Sequence, residues 1–440
     1  PTSLKELCNG YVGSYGILLD NSNLKTVTIE KNVAKIDDYA IGFVFDFDNY
    51  KINKVKDFTV KGYRGTVAES YAKKNSFNFV ALDKTLQTPS ISKLENTSGG
   101  IKISWNKVSG AYGYRVYQKT SNGWKRIKDT TATSYTDSAV SVNQTKTYTM
   151  RCIDKNGNTV SGYNSKGWSK KYTPVAPTIS KLENTSGGIK LSWNKVAGVY
   201  GYRLYYKTSS GGWKRFKDTT ATSFTDSGVS PNRTETYTIR CIDKNGNTVS
   251  GYNSKGWSKK YTPVAPTISK LENTSGGIKL SWNKVAGVYG YRLYYKTSSG
   301  GWKRFKDTTA TSFTDSGVSP NRTETYTIRC IDKNGNTVSG YNSKGWSKKY
   351  APVAPKITKL TNTSKGVSTT WNKVAGVYGY RLYRKYAGGS WTKVKDTTST
   401  SFTDSGAKKG KKVTYTVRCI DKKGKTISGY NATGWSITRK

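Results

Sequence analysis

The residues of this chain best equipped for chemistry are aromatic and cationic: 12 Trp, 33 Tyr and 73 Lys plus Arg among 440 residues. The tryptophans recur at a fixed spacing. Trp124, Trp213, Trp302 and Trp391 stand 89 residues apart, and so do Trp168, Trp257, Trp346 and Trp435. Trp213 is followed by Lys214 and Arg215, while Trp257 closes the run Gly251-Tyr252-Asn253-Ser254-Lys255-Gly256. An indole face stacks on a sugar ring or a base, and a neighbouring cation holds a carboxylate or phosphate. These eight tryptophans are the candidate ligand-binding residues. The competing role is packing: a strand-edge Trp covering a core, or a Trp filling the contact between neighbouring domains.

Other chemistries are poorly served. The chain has no histidine, so no Ser-His-Asp or Cys-His pair and no His-ligated metal can be assembled. Glycoside hydrolysis needs two acids roughly 5–10 Å apart in a cleft. Acids such as Glu183, Asp218, Asp226, Glu235 and Asp243 are instead spread among turns and strand ends. Asp154-Lys155-Asn156-Gly157-Asn158 has oxygen donors for Ca²⁺. Its Gly falls too early, however, and the fourth copy puts Lys422, Lys423 and Lys425 among the ligand positions, so a turn is expected. Cys152, Cys241, Cys330 and Cys419 occur once per copy at inward positions and read as buried free thiols; Cys8 has no assigned place. No cofactor and no catalytic residue is expected.

The elements that position the tryptophans come from an internal repeat. Four copies run 88–173, 174–262, 263–351 and 352–440, and residues 175–261 match 264–350 letter for letter. In the second copy the pattern predicts strands near Thr178–Glu183, Ile189–Asn194, Tyr202–Lys207, Trp213–Lys217, Thr222–Thr225, Thr236–Ile242 and Thr248–Lys260. Ile189, Leu191, Trp193 and Tyr237, Ile239, Cys241 alternate inward, which turns Lys190, Ser192, Thr238 and Arg240 outward. Asn245-Gly246 signals a hairpin. Some seven short strands in each copy argue for a β-sandwich. The linkers Pro174-Val175-Ala176-Pro177, Pro263–Pro266 and Pro352–Pro355 are stiff, so four beads should form a semi-rigid rod of about 130–160 Å.

The runs Ile189-Lys190-Leu191-Ser192-Trp193, Val196–Tyr205, Thr225-Asp226 and Thr236–Cys241 resemble a fibronectin type III domain of the kind found in secreted proteins of Gram-positive gut bacteria. The resemblance covers all four copies. It implies that Trp193 is the core tryptophan of the second strand and Tyr237 the buried tyrosine before the penultimate strand.

Residues 1–87 differ. They hold 12 Lys/Arg and 10 Asp/Glu, a net of +2, leaving +44 of the total +46 for the four copies. Leu24–Ile29 and Val33–Ile41 resemble one leucine-rich repeat of the BspA-like type, although Ile41 stands where that family usually carries a bulky aromatic. Phe58–Ala72 resembles the cap that closes such an array, with a Thr66–Glu69 capping box starting a helix over Thr66–Asn75 and a strand at Phe77–Leu82. A single solenoid repeat cannot bury its own face. The natural protein is therefore expected to extend N-terminally; the alternatives are a degenerate extra turn in residues 1–20, or a compact α+β domain.

The fold class expected is mainly β: a small N-terminal leucine-rich-repeat and cap domain, then four fibronectin type III-like sandwiches. The expected function is non-enzymatic, a bacterial cell-surface or secreted adhesive spacer. Its basic sandwiches would meet an anionic polymer of a cell wall or polysaccharide, and the leucine-rich part a host surface ligand. The alternative is an accessory or carbohydrate-binding region of a secreted polysaccharide-degrading enzyme. Nucleic acid is a less favoured partner, reachable through charge alone. No run of 18 apolar residues exists to insert in a membrane, and a monomeric rod is expected.

Overall fold

The computed structural model describes residues 6–7, 22–83 and 85–440; Cys8 and most of residues 1–20 lie outside them. By contact the chain divides into two compact units. One comprises Pro1–Pro177, Lys195–Gly201 and Arg240–Tyr252, the other Thr178–Asn194, Tyr202–Ile239 and Asn253–Lys440.

In the first unit, Thr26–Thr28, Thr59–Gly62 and Asn78–Ala81 form a parallel sheet in which Val27, Val60 and Phe79 share one row. Val67–Lys74 is a helix. Its Ala68, Tyr71 and Ala72 bury against Ile29, Ile41, Phe58 and Val60, with Phe77 packed at the side. The buried Tyr71 hydroxyl donates to the Ile41 carbonyl at 2.8 Å and accepts the Ile41 N–H at 3.2 Å. Burial pushes that phenol up to about 12. The expected capping box is half made. Thr66 is the N-cap, but its hydroxyl donates to the Tyr63 carbonyl instead of accepting from the helix, while Glu69 accepts the N–H of Gly65 at 2.6 Å. The helix is a residue shorter at each end than expected, with Thr66 and Asn75 as its caps.

The third copy lies wholly in the second unit and carries the repeated architecture. Ile268–Thr274, Gly277–Trp282 and Ser312–Asp315 form a three-stranded antiparallel sheet. Trp302–Thr308, Gly290–Lys296, Thr323–Ile331 and Trp346–Lys349, in that spatial order, form a four-stranded one. Ile278, Leu280 and Trp282 from the first face Tyr291, Leu293, Tyr326, Ile328 and Cys330 from the second, in one core. The first and fourth copies have the same two sheets. Two expectations need correction. The last strand is only Trp346–Lys349, because residues after Ile331 first make a tight turn: Asp332 accepts the N–H groups of Asn334 and Asn336, and Val338 N–H returns to the Cys330 carbonyl. The buried tyrosine, Tyr326, sits inside the penultimate strand, not before it.

Tyr326 is fully buried and donates to the Asp315 carboxylate at 2.9 Å; Tyr148 and Tyr415 do the same to Asp137 and Asp404. The core tryptophan Trp282 packs edge-on against Tyr291 at 5.6 Å. Cys330 is buried and free, and burial pushes its thiol up to about 11, which keeps it protonated and unreactive at neutral pH.

Consecutive copies meet through one repeated contact. Tyr350 hydroxyl donates to the Ala375 carbonyl at 2.9 Å, and Ala375 N–H donates to the Ser275 carbonyl at 2.8 Å. Next to it, Gly376 has φ +70°, and a Cβ there would lie 2.2 Å from the Val318 carbonyl oxygen. Only glycine meets both demands. Tyr172 with Ala197, and Tyr261 with Ala286, repeat the contact. Arg439 stands at this tyrosine's place in the fourth copy, where it donates to the Thr363 carbonyl.

Candidate functional site

Alternation along the four-stranded sheet sends one set of side chains away from the core, although the threonine of that row, expected to face out, is buried: Thr149, Thr238 and Thr327 are each 1% exposed. In the first copy Tyr117 faces Thr149 across the strands, and Arg115 faces Arg151. On the neighbouring strand Trp124 lies beside Lys119. Tyr163 comes from the loop after the long strand. Tyr117, Trp124, Thr149, Arg151 and Tyr163 line a depression of about 180 Å³. The same five residue types line depressions of about 140 Å³ in the third copy (Tyr294, Trp302, Thr327, Arg329, Tyr341) and the fourth (Tyr383, Trp391, Thr416, Arg418, Tyr430).

The walls are two perpendicular rings. Trp302 and Tyr341 stand 6.4 Å apart at 78°, Trp124 and Tyr163 6.4 Å at 79°, Trp391 and Tyr430 6.3 Å at 79°. The guanidinium of Arg151 lies 4.7 Å from the Tyr163 ring centre, and those of Arg329 and Arg418 lie 5.5 Å from Tyr341 and Tyr430. Thr327 holds the tyrosine loop in place by donating to the Asn342 carbonyl at 2.9 Å. Gly345 lets the loop pass over the indole: its φ is +71°, and a Cβ would approach Trp302 Cη2 to 2.6 Å. The tyrosines keep substantial exposure, 39% for Tyr163 and 43% for Tyr341 and Tyr430.

The two facing arginines are treated differently. Arg292 donates through Nε and Nη2 to both oxygens of Asp307, at 2.9 and 2.8 Å. This fork pulls the Asp307 carboxyl below its ordinary range and pushes Arg292 up. In the fourth copy the same fork holds Asp396 down to about 2. Arg329, directly across from Arg292, has no carboxylate partner among the described residues; it donates to the Ser339 carbonyl at 3.1 and 3.0 Å.

The eight expected tryptophans thus separate into two sets. Trp124, Trp302 and Trp391 line the depressions. Trp168 and Trp346 are half-buried against the core, opposite Tyr148 and Tyr326, and are packing residues; Trp435 is 45% exposed but holds the same strand position opposite Tyr415. The reason is register: on a strand of four residues the first side chain falls on the inward row. In the second copy Trp213 lies close to Gly256, as Trp302 does to Gly345, and Trp257 is opposite Tyr237, as Trp346 is to Tyr326. Arg240 lies over Tyr252 at 5.4 Å. Sequence reasoning turned Thr238 and Arg240 outward but did not assign Arg151, Arg329, Arg418 or the loop tyrosines to the site. The signal was there: Tyr, Thr and Arg recur at the same outward positions of every copy.

A larger groove of about 540 Å³ lies where the second and third copies meet, lined among others by Pro231, Tyr289, Asp332 and Lys333. Among the described residues no three His, Cys, Asp or Glu side chains gather to hold a metal, and no helix is long and apolar enough to cross a membrane.

No family model matches the chain. It is 29% identical to exoglucanase B of Cellulomonas fimi over 296 residues, covering 61% of this chain and 26% of that protein. It is 29% identical to chitinase A1 of Niallia circulans over 187 residues, 39% of this chain and 26% of that one. Against the mouse fibronectin type III domain-containing protein 7 the identity is 26% over 283 residues, 63% of this chain and 36% of that protein. The chain therefore spans between a quarter and two fifths of the length of these relatives. With paired antiparallel sheets of three and four strands recurring along it, the chain is mainly β and carries fibronectin type III-like domains in tandem.

Proposed function

We propose that this chain is a non-catalytic, extracellular spacer whose fibronectin type III-like domains present one binding face several times over to an anionic polymer of a cell wall or polysaccharide. The observation that carries this reading is the recurrence of the same Tyr, Trp, Thr, Arg and Tyr set on the outer sheet of the first, third and fourth copies. The +44 charge of the repeats draws polyanions to the repeats as a whole, and tandem display turns weak single contacts into avidity. The repeated Tyr-to-Ala junction supports a spacer with defined spacing. In this reading the parallel strands and helix of residues 22–83 belong to a BspA-like leucine-rich-repeat domain that engages a host surface ligand.

A second reading has a specific observation behind it. The similarity to an exoglucanase and a chitinase suits an accessory region of a secreted polysaccharide-degrading enzyme, where the same face would hold the enzyme to its polymer. One experiment tests the shared core of both. The chain is sedimented with insoluble cell wall and acidic polysaccharide at low salt, and small-angle scattering is recorded with two, three and four copies present. Binding together with a length that grows with copy number is expected. A compact particle of constant size, or no binding to any anionic polymer, would overturn the proposal.

A further inference from the structure

We infer that each aromatic depression is a subsite for one acidic sugar residue, a uronate unit of a glycan, whose carboxylate pairs with Arg151, Arg329 or Arg418, none of which has a carboxylate partner among the described residues. This deepens the binding role proposed above and rests on it. The starting point is the facing pair of arginines. Like charges directly opposite on neighbouring strands destabilise a sheet. Arg292 is relieved by its fork with Asp307, yet the sheet supplies no acid to Arg329. A guanidinium has five donors. Arg329 gives Nε and one Nη2 hydrogen to the Ser339 carbonyl, which leaves the rest of the fork free at the wall of the depression. A planar carboxylate is the group that fork fits best.

The rest of the depression fixes what carries the carboxylate. At about 140–180 Å³ it is smaller than the ~300 Å³ lower bound for drug-sized sites, so it takes a single ring. Two aromatic walls at 78–79° form a corner that touches a ring on its face and its edge together. A chair-shaped pyranose, thick and with C–H groups on one face, fills such a corner. A flat base also fits face-and-edge into such a corner, so the DNA arm of the test separates the two. One weak subsite per copy is then multiplied along a repeating polymer.

The test uses the full chain and polygalacturonate as probe, with dextran and single-stranded DNA as comparisons at the same salt. One variant carries Arg151→Gln, Arg240→Gln, Arg329→Gln and Arg418→Gln; Arg240 is included because the second copy has the sequence of the third. A control with equal charge loss carries Lys93→Gln, Lys181→Gln, Lys270→Gln and Lys359→Gln on the other sheet. The arginine set should weaken polygalacturonate binding at least tenfold, and the lysine set less than threefold. Arg→Lys at the four positions keeps the charge and removes the fork, and should recover only part of the loss; melting curves for every variant show that the fold is retained. Equal weakening by both sets would overturn the subsite and leave the proposed polyanion binding standing. So would full recovery by lysine, or tighter binding to DNA or dextran than to polygalacturonate. Absence of binding to every anionic polymer would overturn both.

Discussion

The first and third copies share a fold and a buried tyrosine bonded to an aspartate, yet at one inward position beside that pair they carry opposite charges. In the first copy Lys146 is 5% exposed and its ammonium reaches Asp137 at 3.0 Å, with a further contact to the Ala139 carbonyl. In the third copy the position is Glu324, 8% exposed, paired with the exposed Arg322 at 3.1 Å. Burial raises the Glu324 carboxyl, and the charge of Asp315 adds to the rise. The fourth copy places Val413 there, and Arg384 from the adjacent strand reaches Asp404 at 2.7 Å. What persists is the aspartate and the phenol that donates to it. Each copy answers the buried charge in its own way, so copies with one architecture should differ in how they respond to pH and substitution.

The largest difference is expected from the aspartate. Asp137→Asn leaves the Lys146 ammonium buried without a counter-charge and should cost about 3 kcal/mol. Hydrogen exchange of a peptide spanning Thr145–Ile153 in the full chain should accelerate accordingly. Asp226→Asn with Asp315→Asn removes a repulsion as well as an acceptor and should cost well under half as much. Equal losses would show that the neighbouring charge does not matter.

Next comes the phenol. Tyr237→Phe with Tyr326→Phe removes a hydrogen bond to a half-buried carboxylate and should cost about 2 kcal/mol per copy in urea unfolding. Tyr148→Phe should cost about 1 kcal/mol, since Lys146 still holds Asp137. Arg384→Gln in the fourth copy should cost roughly 1 kcal/mol, because Arg384 is only part-buried and water replaces some of what it gives Asp404.

The smallest effect has the opposite sign. Glu235→Gln with Glu324→Gln should raise the melting temperature slightly at pH 7. A carboxyl raised by burial stabilises the fold in full below its ordinary range and loses that contribution as pH rises through its raised value. The gain from Gln should therefore vanish in acid. The Asp307 fork runs the other way: its carboxyl is lowered by Arg292, so its stabilisation is present at neutral pH and lost as pH falls through the lowered value. For Asp396 that loss falls between its ordinary 3.8 and about 2. A melting curve of the Asp396→Asn variant against pH should approach that of the parent near the bottom of this window.

Much of the fold was legible because strand alternation is a local property. Ile278, Leu280, Trp282 and Tyr326, Ile328, Cys330 pointed inward in the sequence and do so in the core. The candidate site was legible only in part. Trp302 was recognisable as a residue suited to binding, but Trp346 looked equally suited and proved to be packing. Tyr341 lies 39 positions beyond Trp302, at no fixed strand phase, and nothing local tied the two together.

By itself the sequence determined the repeat, the charge division between residues 1–87 and the copies, the inward and outward rows, and the free buried cysteines. Only the tertiary structure decided that Trp302 shares a face with Arg292 and Tyr294. The cause is a β-bulge. Arg292 pairs with Asp307 and Leu293 with Lys306, but after a shift in register Tyr294 pairs with Arg304 and Lys296 with Trp302. Strict alternation from Asp307 would turn Trp302 to the opposite face. The extra residue re-phases the strand, so Phe305 enters the core while Trp302 joins the outer row. A bulge is settled by how two strands dock, which local alternation does not reveal.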